Sequence, residues 1–269
     1  IAVRRLLVSL KWVPFIITTV EVPEYGFPFN IVSKMSRWTS KKVDAAIAYV
    51  ARTAEDYMPG KPFLEIAYSI DERKIDLYAG QDAGRPTKFT IAYTGALSNT
   101  YNFDYVIDAI KATGRKYRWV FAGTGVYAER IQALAADDAY DVEYLGEVSN
   151  AQAIALQKSS HLLLCPRGGT SSSVMQYYST YAASGKLTEY LCSGTPILAS
   201  DVPSTSESIR SFLTLEASQT ADGLIGDVRD IEQNYEDKLE LAGRGREYAF
   251  THFNAEYQNS RVCEFIEGL

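Results

Sequence analysis

Between residues 89 and 199, short apolar runs alternate with stretches of helical spacing, and this alternation restricts the fold more than any other feature of the chain. Phe89–Thr94 (FTIAYT) is apolar and β-rich, Gly95 turns it, and Phe103–Ala112 repeats apolar residues with a helical period. Strand Arg118–Ala122, a Gly-Thr-Gly turn and helix Tyr127–Ala135 follow, then strand Val142–Leu145 and helix Asn150–Gln157. Strand His161–Cys165, helix Gly185–Cys192 and strand Pro196–Ala199 complete the array. Strands joined through helices run parallel and are covered on both faces, and ligands then bind beyond their carboxyl ends. The sequence predicts an α/β fold whose functional residues lie in the loops leaving those ends.

The preceding residues read as the remainder of a second such unit. VPFIITTVEV is a strand, VDAAIAYVARTAEDYM a strand running into a short helix, and PFLEIAYSID a further strand. Tyr78–Lys88 (YAGQDAGRPTK), rich in Gly and Pro, reads as an interdomain linker. Phe253–Phe265 is amphipathic, with Phe253, Tyr257, Val262 and Phe265 on its apolar side. The expected division is 1–82, 83–250 and a terminal helix over 251–269. The chain starts at Ile1 and reads as beginning partway into a longer protein.

A net charge of −6 argues against a general nucleic-acid binder, which needs a basic face. Basic residues do gather early, at Arg4, Arg5, Lys11, Lys34, Arg37, Lys41 and Lys42, against Glu21 and Glu24. They form either a solvated surface or a contact for an anionic membrane or phosphorylated acceptor. Leu6–Ile17 is interrupted by Lys11 and Pro14, and no apolar run is long enough to cross a bilayer. Cys165, Cys192 and Cys263 are odd in number and widely spaced, which fits core-filling thiols in a reducing, cytoplasmic compartment. His161 and His252 lack ligand-spaced partners, and Asp137, Asp138 and Asp141 sit in a helix-to-strand loop, so no metal site is expected.

The chemistry concentrates between His161 and Ser200. The strand ending at Cys165 runs into Pro166 and Arg167, and a helix then opens at Gly185 with Lys186 and Glu189 before closing at Gly194. A guanidinium and an ammonium facing free amides at a helix start, where the dipole favours an anion, make a place for phosphate. Glu189, three residues after Lys186, shares its face and can accept sugar hydroxyls; the plainer alternative is an ion pair within the helix. The group suggests a nucleotide-sugar site.

CPR, a polar spacer rich in Tyr and Ser, then SGKLTEYLCSGTPIL resembles the donor-binding segment of family-4 (group 1) GT-B glycosyltransferases of bacterial polysaccharide biosynthesis. FTIAYTGALSNTYNFDYVIDAI, YRWVFAGTGVYAERI, DVEYLGEV and SNAQAIALQKSS fall in that family's order and spacing. The resemblance implies two Rossmann-like doubly wound domains, the N-terminal one incomplete here, with a final helix crossing back to it. It implies a retaining hexosyl transfer from a nucleoside-diphosphate sugar to a saccharide or lipid-linked saccharide, without cofactor or metal. The location it implies is cytoplasmic, with peripheral contact at the inner face of the plasma membrane. It gives Arg167 and Lys186 an electrostatic part in catalysis and Glu189 the donor ribose. Ser184, Gly185 and Leu187 would meet the diphosphate through their backbone, with Gly95 allowing close approach. Gly123 and Gly125 would shape the crevice floor, and Gly146 and Val148 would border the base.

Tyr181 stands where the family often has a first glutamate, and the loop holding Ala96, Tyr101 and Asn102 lacks the family's usual cation. An inactive nucleotide-sugar-binding module is therefore one alternative. Gly123, Gly125 and Ala128 spell GxGxxA between a strand and a helix, with Glu147 beyond the next strand, which makes an NAD-dependent oxidoreductase another.

Overall fold

The computed structural model describes residues 16–18, 43–80, 84–168, 176 and 179–269, and contains two parallel sheets. The smaller has the order β1 (Ile16–Thr18), β2 (Ala45–Ala48), β3 (Phe63–Glu65), with Ile16 beside Ala45 and Ala46 beside Phe63. Helix α1 (Ala51–Tyr57) follows β2. The seven basic residues from Arg4 to Lys42 lie outside the described residues.

The larger sheet is built from β4 (Thr90–Thr94), β5 (Arg118–Ala122), β6 (Val142–Gly146), β7 (Leu162–Cys165), β8 (Ile197–Ala199) and β9 (Thr214–Leu215). Its spatial order is β6-β5-β4-β7-β8-β9, all parallel, so the direction of winding reverses between β4 and β7. That reversal opens the crevice in which doubly wound sheets bind ligands.

Alternation along each strand builds a core on either face. Ile91, Tyr93, Trp119, Phe121, Leu162 and Leu164 pack with α3 (Asp104–Thr113), α4 (Ala128–Ala135) and α8 (Ala221–Gln233). Ala92, Val120, Leu163 and Cys165 point the other way, against α5 (Asn150–Ser159), α6 (Gly185–Ser193) and α9 (Tyr235–His252). Ser149 caps α5 in a reciprocal box with Gln152, satisfying two amides that the helix start leaves open.

Several sequence expectations are corrected. Of PFLEIAYSID only Phe63–Glu65 is strand, and the supposed linker begins inside helix α2 (Glu72–Ala79), which Asp71 caps by accepting from the Arg73 amide at 3.1 Å. The amphipathic stretch Phe253–Phe265, by contrast, is almost entirely one helix, as expected. Helix α9 stops at His252, and Asn254 caps α10 (Ala255–Glu267) by accepting from the Tyr257 amide at 2.8 Å. Cys165 and Cys192 are buried, but Cys263 is exposed and fills no core. His161 is structural, its Nδ1 accepting from the Thr90 amide at 3.1 Å. The short α7 (Glu207–Arg210) joins β8 to β9. Among the described residues no helix is long and apolar enough to cross a membrane.

Just beyond β9, Glu216 is buried and accepts hydrogen bonds from Tyr105 Oη (2.5 Å) and Ser200 Oγ (2.6 Å). Burial outweighs those two bonds and pushes its carboxyl up from 4.5 to about 7. The folded state thus holds this proton more tightly than the unfolded chain. Its contribution to stability is complete below pH 4.5 and is lost as pH rises through 7. Glu216→Gln should flatten that slope, measured as the melting-temperature difference from wild type at pH 5 and pH 7.5. An unchanged difference would show that another group titrates.

Candidate functional site

The loop after β4, the start of α6 and the helix α2 converge on one cleft of about 340 Å³, lined by Tyr68, Lys74, Tyr78, Tyr101, Lys186 and Glu189 among others. It adjoins the reversal between β4 and β7. Lys186 is the second residue of α6, and because helical side chains lean toward the N-terminus its ammonium reaches back over the helix start. There Nζ donates to the carbonyl of Thr94, the last residue of β4. Three rings enclose the charge, their centroids 4.2 Å (Tyr93), 5.3 Å (Tyr101) and 5.4 Å (Tyr190) away. Burial pushes the ammonium down from 10.5 to about 8, against the opposing pull of Cys165 and Glu189.

Gly95 is glycine because of this ammonium. Its φ is +125°, and a Cβ there would run into Lys186 Nζ. Gly123 and Gly125 serve by close approach of one turn to another. A Cβ on Gly123 would lie 2.7 Å from the Gly95 carbonyl carbon, and one on Gly125 would lie 2.6 Å from that of Leu97. Hydrogen bonds from the Gly95 amide to Ala122 O and from the Leu97 amide to Thr124 O, both 2.8 Å, lock the turns together.

Glu189 lines the same cleft with its side chain 44% exposed. The expected alternative of a pair with Lys186 does not form. The carboxylate instead meets Lys74 of α2, Nζ to Oε1 at 2.5 Å. Lys74 lines the cleft and was not among the residues expected from the sequence. The cap at Asp71 and the apolar spacing of Ile75 and Tyr78 were the available signal for its helix.

The remaining expected residues divide. Gly185 lines the cleft beside Lys186. Ser184 and Leu187 line an adjacent cavity of about 220 Å³, and the Tyr68 ring covers Gly185 at the boundary between the two. Gly146 and Val148 do not line the cleft; the Gly146 carbonyl accepts from the Gly123 amide at 2.6 Å. Arg167 is the main correction. The expectation placed its guanidinium in the crevice beside Lys186, but it is 7% exposed and does not line the cleft. Its Nη1 donates to Ser204 Oγ at 3.2 Å and its Nη2 to the Ala182 carbonyl at 2.7 Å. It ties the chain just before α6 to the turn after β8. Tyr181 turns toward the smaller sheet, donating to Asp56 Oδ2 at 2.8 Å.

The GxGxxA turn follows β5, one strand away from the reversal, and Glu147 is exposed. A dinucleotide fingerprint belongs on the first strand, at the switch point, so this geometry does not favour the oxidoreductase alternative. Among the described residues no group of three or more His, Cys, Asp or Glu side chains could hold a metal.

The parallel α/β architecture matches GT-B glycosyltransferase structures. Sucrose-phosphate synthase (tll1590) from Thermosynechococcus elongatus aligns with a TM-score of 0.69 at 12% identity, covering 98% of this chain and 70% of that one. Anabaena Alr3699/HepE aligns at 0.68 with 14% identity, covering 99% and 76%. TarM aligns at 0.67 with 11% identity; 93% of this chain is covered, and it spans about half (49%) of the TarM chain. At such identities the likeness establishes the fold. No curated protein sequence matches the chain significantly. Residues 79–249 match the family described as glycosyl transferases group 1, which is more than half of the 269 residues, and the chain belongs to that family.

Proposed function

We propose that the protein is a retaining glycosyltransferase of family 4 that moves a sugar from a nucleoside-diphosphate sugar to a hydroxyl of a saccharide or lipid-linked saccharide. Its place is bacterial cell-surface polysaccharide or glycolipid synthesis on the cytoplasmic side, with the basic stretch of residues 4–42 available for peripheral membrane contact. One observation carries the reading: a caged ammonium, the open start of α6 and the Glu189 carboxylate meet at the winding reversal of the larger sheet. A diphosphate suits the first two and a ribose the third.

In the transfer, the bond from the anomeric carbon to the diphosphate oxygen breaks and its electron pair leaves with the diphosphate. The acceptor oxygen forms the new bond on the same face, and its proton passes to the departing oxygen. Lys186 and the helix end stabilise the charge that builds on the leaving group, so the reading requires no metal. Arg167 acts one step back, ordering Ala182 and hence the approach to the helix start.

HepE has been solved with UDP and with UDP-glucose, which makes UDP-glucose the first donor to try. In a thermal-shift screen of UDP-, GDP- and ADP-sugars, one class should raise the melting temperature by several degrees at about a hundred times its Kd. NADH should give no shift, and Glu189→Gln should reduce the response without abolishing it. A shift with NADH alone would overturn the reading. The binding-module alternative keeps one observation in its favour, Tyr181 tied to Asp56. It predicts a bound donor from which no nucleoside diphosphate is ever released.

A further inference from the structure

We propose that Lys74 is a positioning residue of the nucleotide site, holding Glu189 toward the ribose and away from Lys186. The inference rests on the donor-site reading above and deepens it.

The pair is asymmetric. Lys74 is 17% exposed and Glu189 44%, so the cation comes from the protein side and the carboxylate faces the cleft. Lys74 engages Oε1, and among the described residues no hydrogen bond reaches Oε2. That oxygen is the one placed to accept from a ligand hydroxyl.

The cation sits on a fixed base. Tyr78 of α2 is buried, and its Oη donates to Gln157 of α5 at 3.4 Å. Arg246 holds the Tyr78 carbonyl at 2.7 Å, and Lys158 donates to the carbonyl of Gly80, where α2 ends. Helix α2 therefore moves with the larger sheet, and Lys74 keeps its register with Glu189.

The alternative partner makes the role specific. Glu189 lies three residues after Lys186, a spacing at which opposite charges on a helix meet. Drawn to Lys186, the carboxylate would neutralise the ammonium intended for the diphosphate and abandon the ribose. Lys74 prevents both. The loop Gly95–Asn102 carries no cation, so Lys186 has no substitute there.

The test measures affinity of the full chain for UDP, GDP and ADP and for their 2′,3′-dideoxy forms, in wild type, Lys74→Met, Lys74→Arg and Lys74→Met/Glu189→Gln. For the nucleotide that wild type holds, Lys74→Met should weaken the ribose form by about tenfold and leave the dideoxy form nearly unchanged. Lys74→Arg should restore most of the loss, and Lys74→Met should add nothing once Glu189 is Gln. The pH at which affinity falls should also move upward in Lys74→Met, because Glu189 then pairs with Lys186. Equal loss for ribose and dideoxy forms, or no loss, overturns the positioning role. Should Lys74→Met fail to fold, Lys74→Gln carries the same comparison. Wild type that binds no nucleoside diphosphate removes the donor site itself, a different outcome from a silent Lys74.

Discussion

Gly123→Ala is expected to cost the fold about 4 kcal/mol or more, lowering the melting temperature by roughly 10 °C, because strain and overpacking add at one residue. The φ of +135° is one that side chains rarely adopt, and the new Cβ would be driven into the carbonyl of Gly95. Both neighbours are backbone, pinned by the Gly95 amide to Ala122 O, so neither can yield cheaply. Gly146→Ala is the control. Its φ is +63°, nothing lies within 4 Å, and the change should cost only about 1–2 kcal/mol. If the two variants melted together, close packing of the turns would not be what fixes Gly123. Nucleotide binding should fail along with stability, because Gly95 adjoins the Lys186 ammonium.

The array from Thr90 to Ala199 was legible in the sequence because each strand is a short apolar run closed by glycine or a polar turn. Period two then places Ile91 and Tyr93 on one face and Ala92 on the other. The elements that escaped are those whose signals are tertiary. Helix α2 was obscured by its polar sequence ERKIDLYA, of which only Tyr78 is buried among the side chains that can be placed. Helix α9 carries Arg, Lys and Glu on most of its surface and docks through small residues. A Cβ on its Gly245 would lie 2.8 Å from Leu191 Cδ2, so it packs by fitting closely, which hydrophobic spacing does not reveal.

At the site, Lys186 and Glu189 were legible because three-residue spacing on a helix fixes their common face. Arg167 misled for a physical reason. A guanidinium at a strand's carboxyl end has the reach for a ligand, but its several donors equally suit oxygens of neighbouring loops, and here the Ala182 carbonyl and the Ser204 hydroxyl accept from it. Lys74 could not be read, since its contact with Glu189 spans 115 positions. Local sequence locates charges well and their partners poorly.

Lys186→Met should weaken nucleoside-diphosphate binding by about 10- to 100-fold while raising the melting temperature of the ligand-free protein. The two effects have one origin. An ammonium enclosed by Tyr93, Tyr101 and Tyr190 is poorly solvated until a diphosphate arrives, and methionine fills the same space without charge. In the unfolded chain the group titrates near 10.5 and in the folded protein near 8, so the unfolded state holds more protons between those values. The stability of wild type should therefore rise with pH across that window and be lost again as pH falls through 8, and the Met variant should lack this slope. Binding runs in the opposite sense. A diphosphate restores the ammonium, so below pH 8 the charge is already present, whereas above it the complex must take up a proton. Affinity should then fall by up to about tenfold per pH unit, with proton uptake visible as a buffer-dependent heat in calorimetry. Affinity that stays level from pH 7 to 10, with no buffer dependence and no change in the Met variant, would remove Lys186 from the diphosphate and leave the open start of α6 to hold it alone.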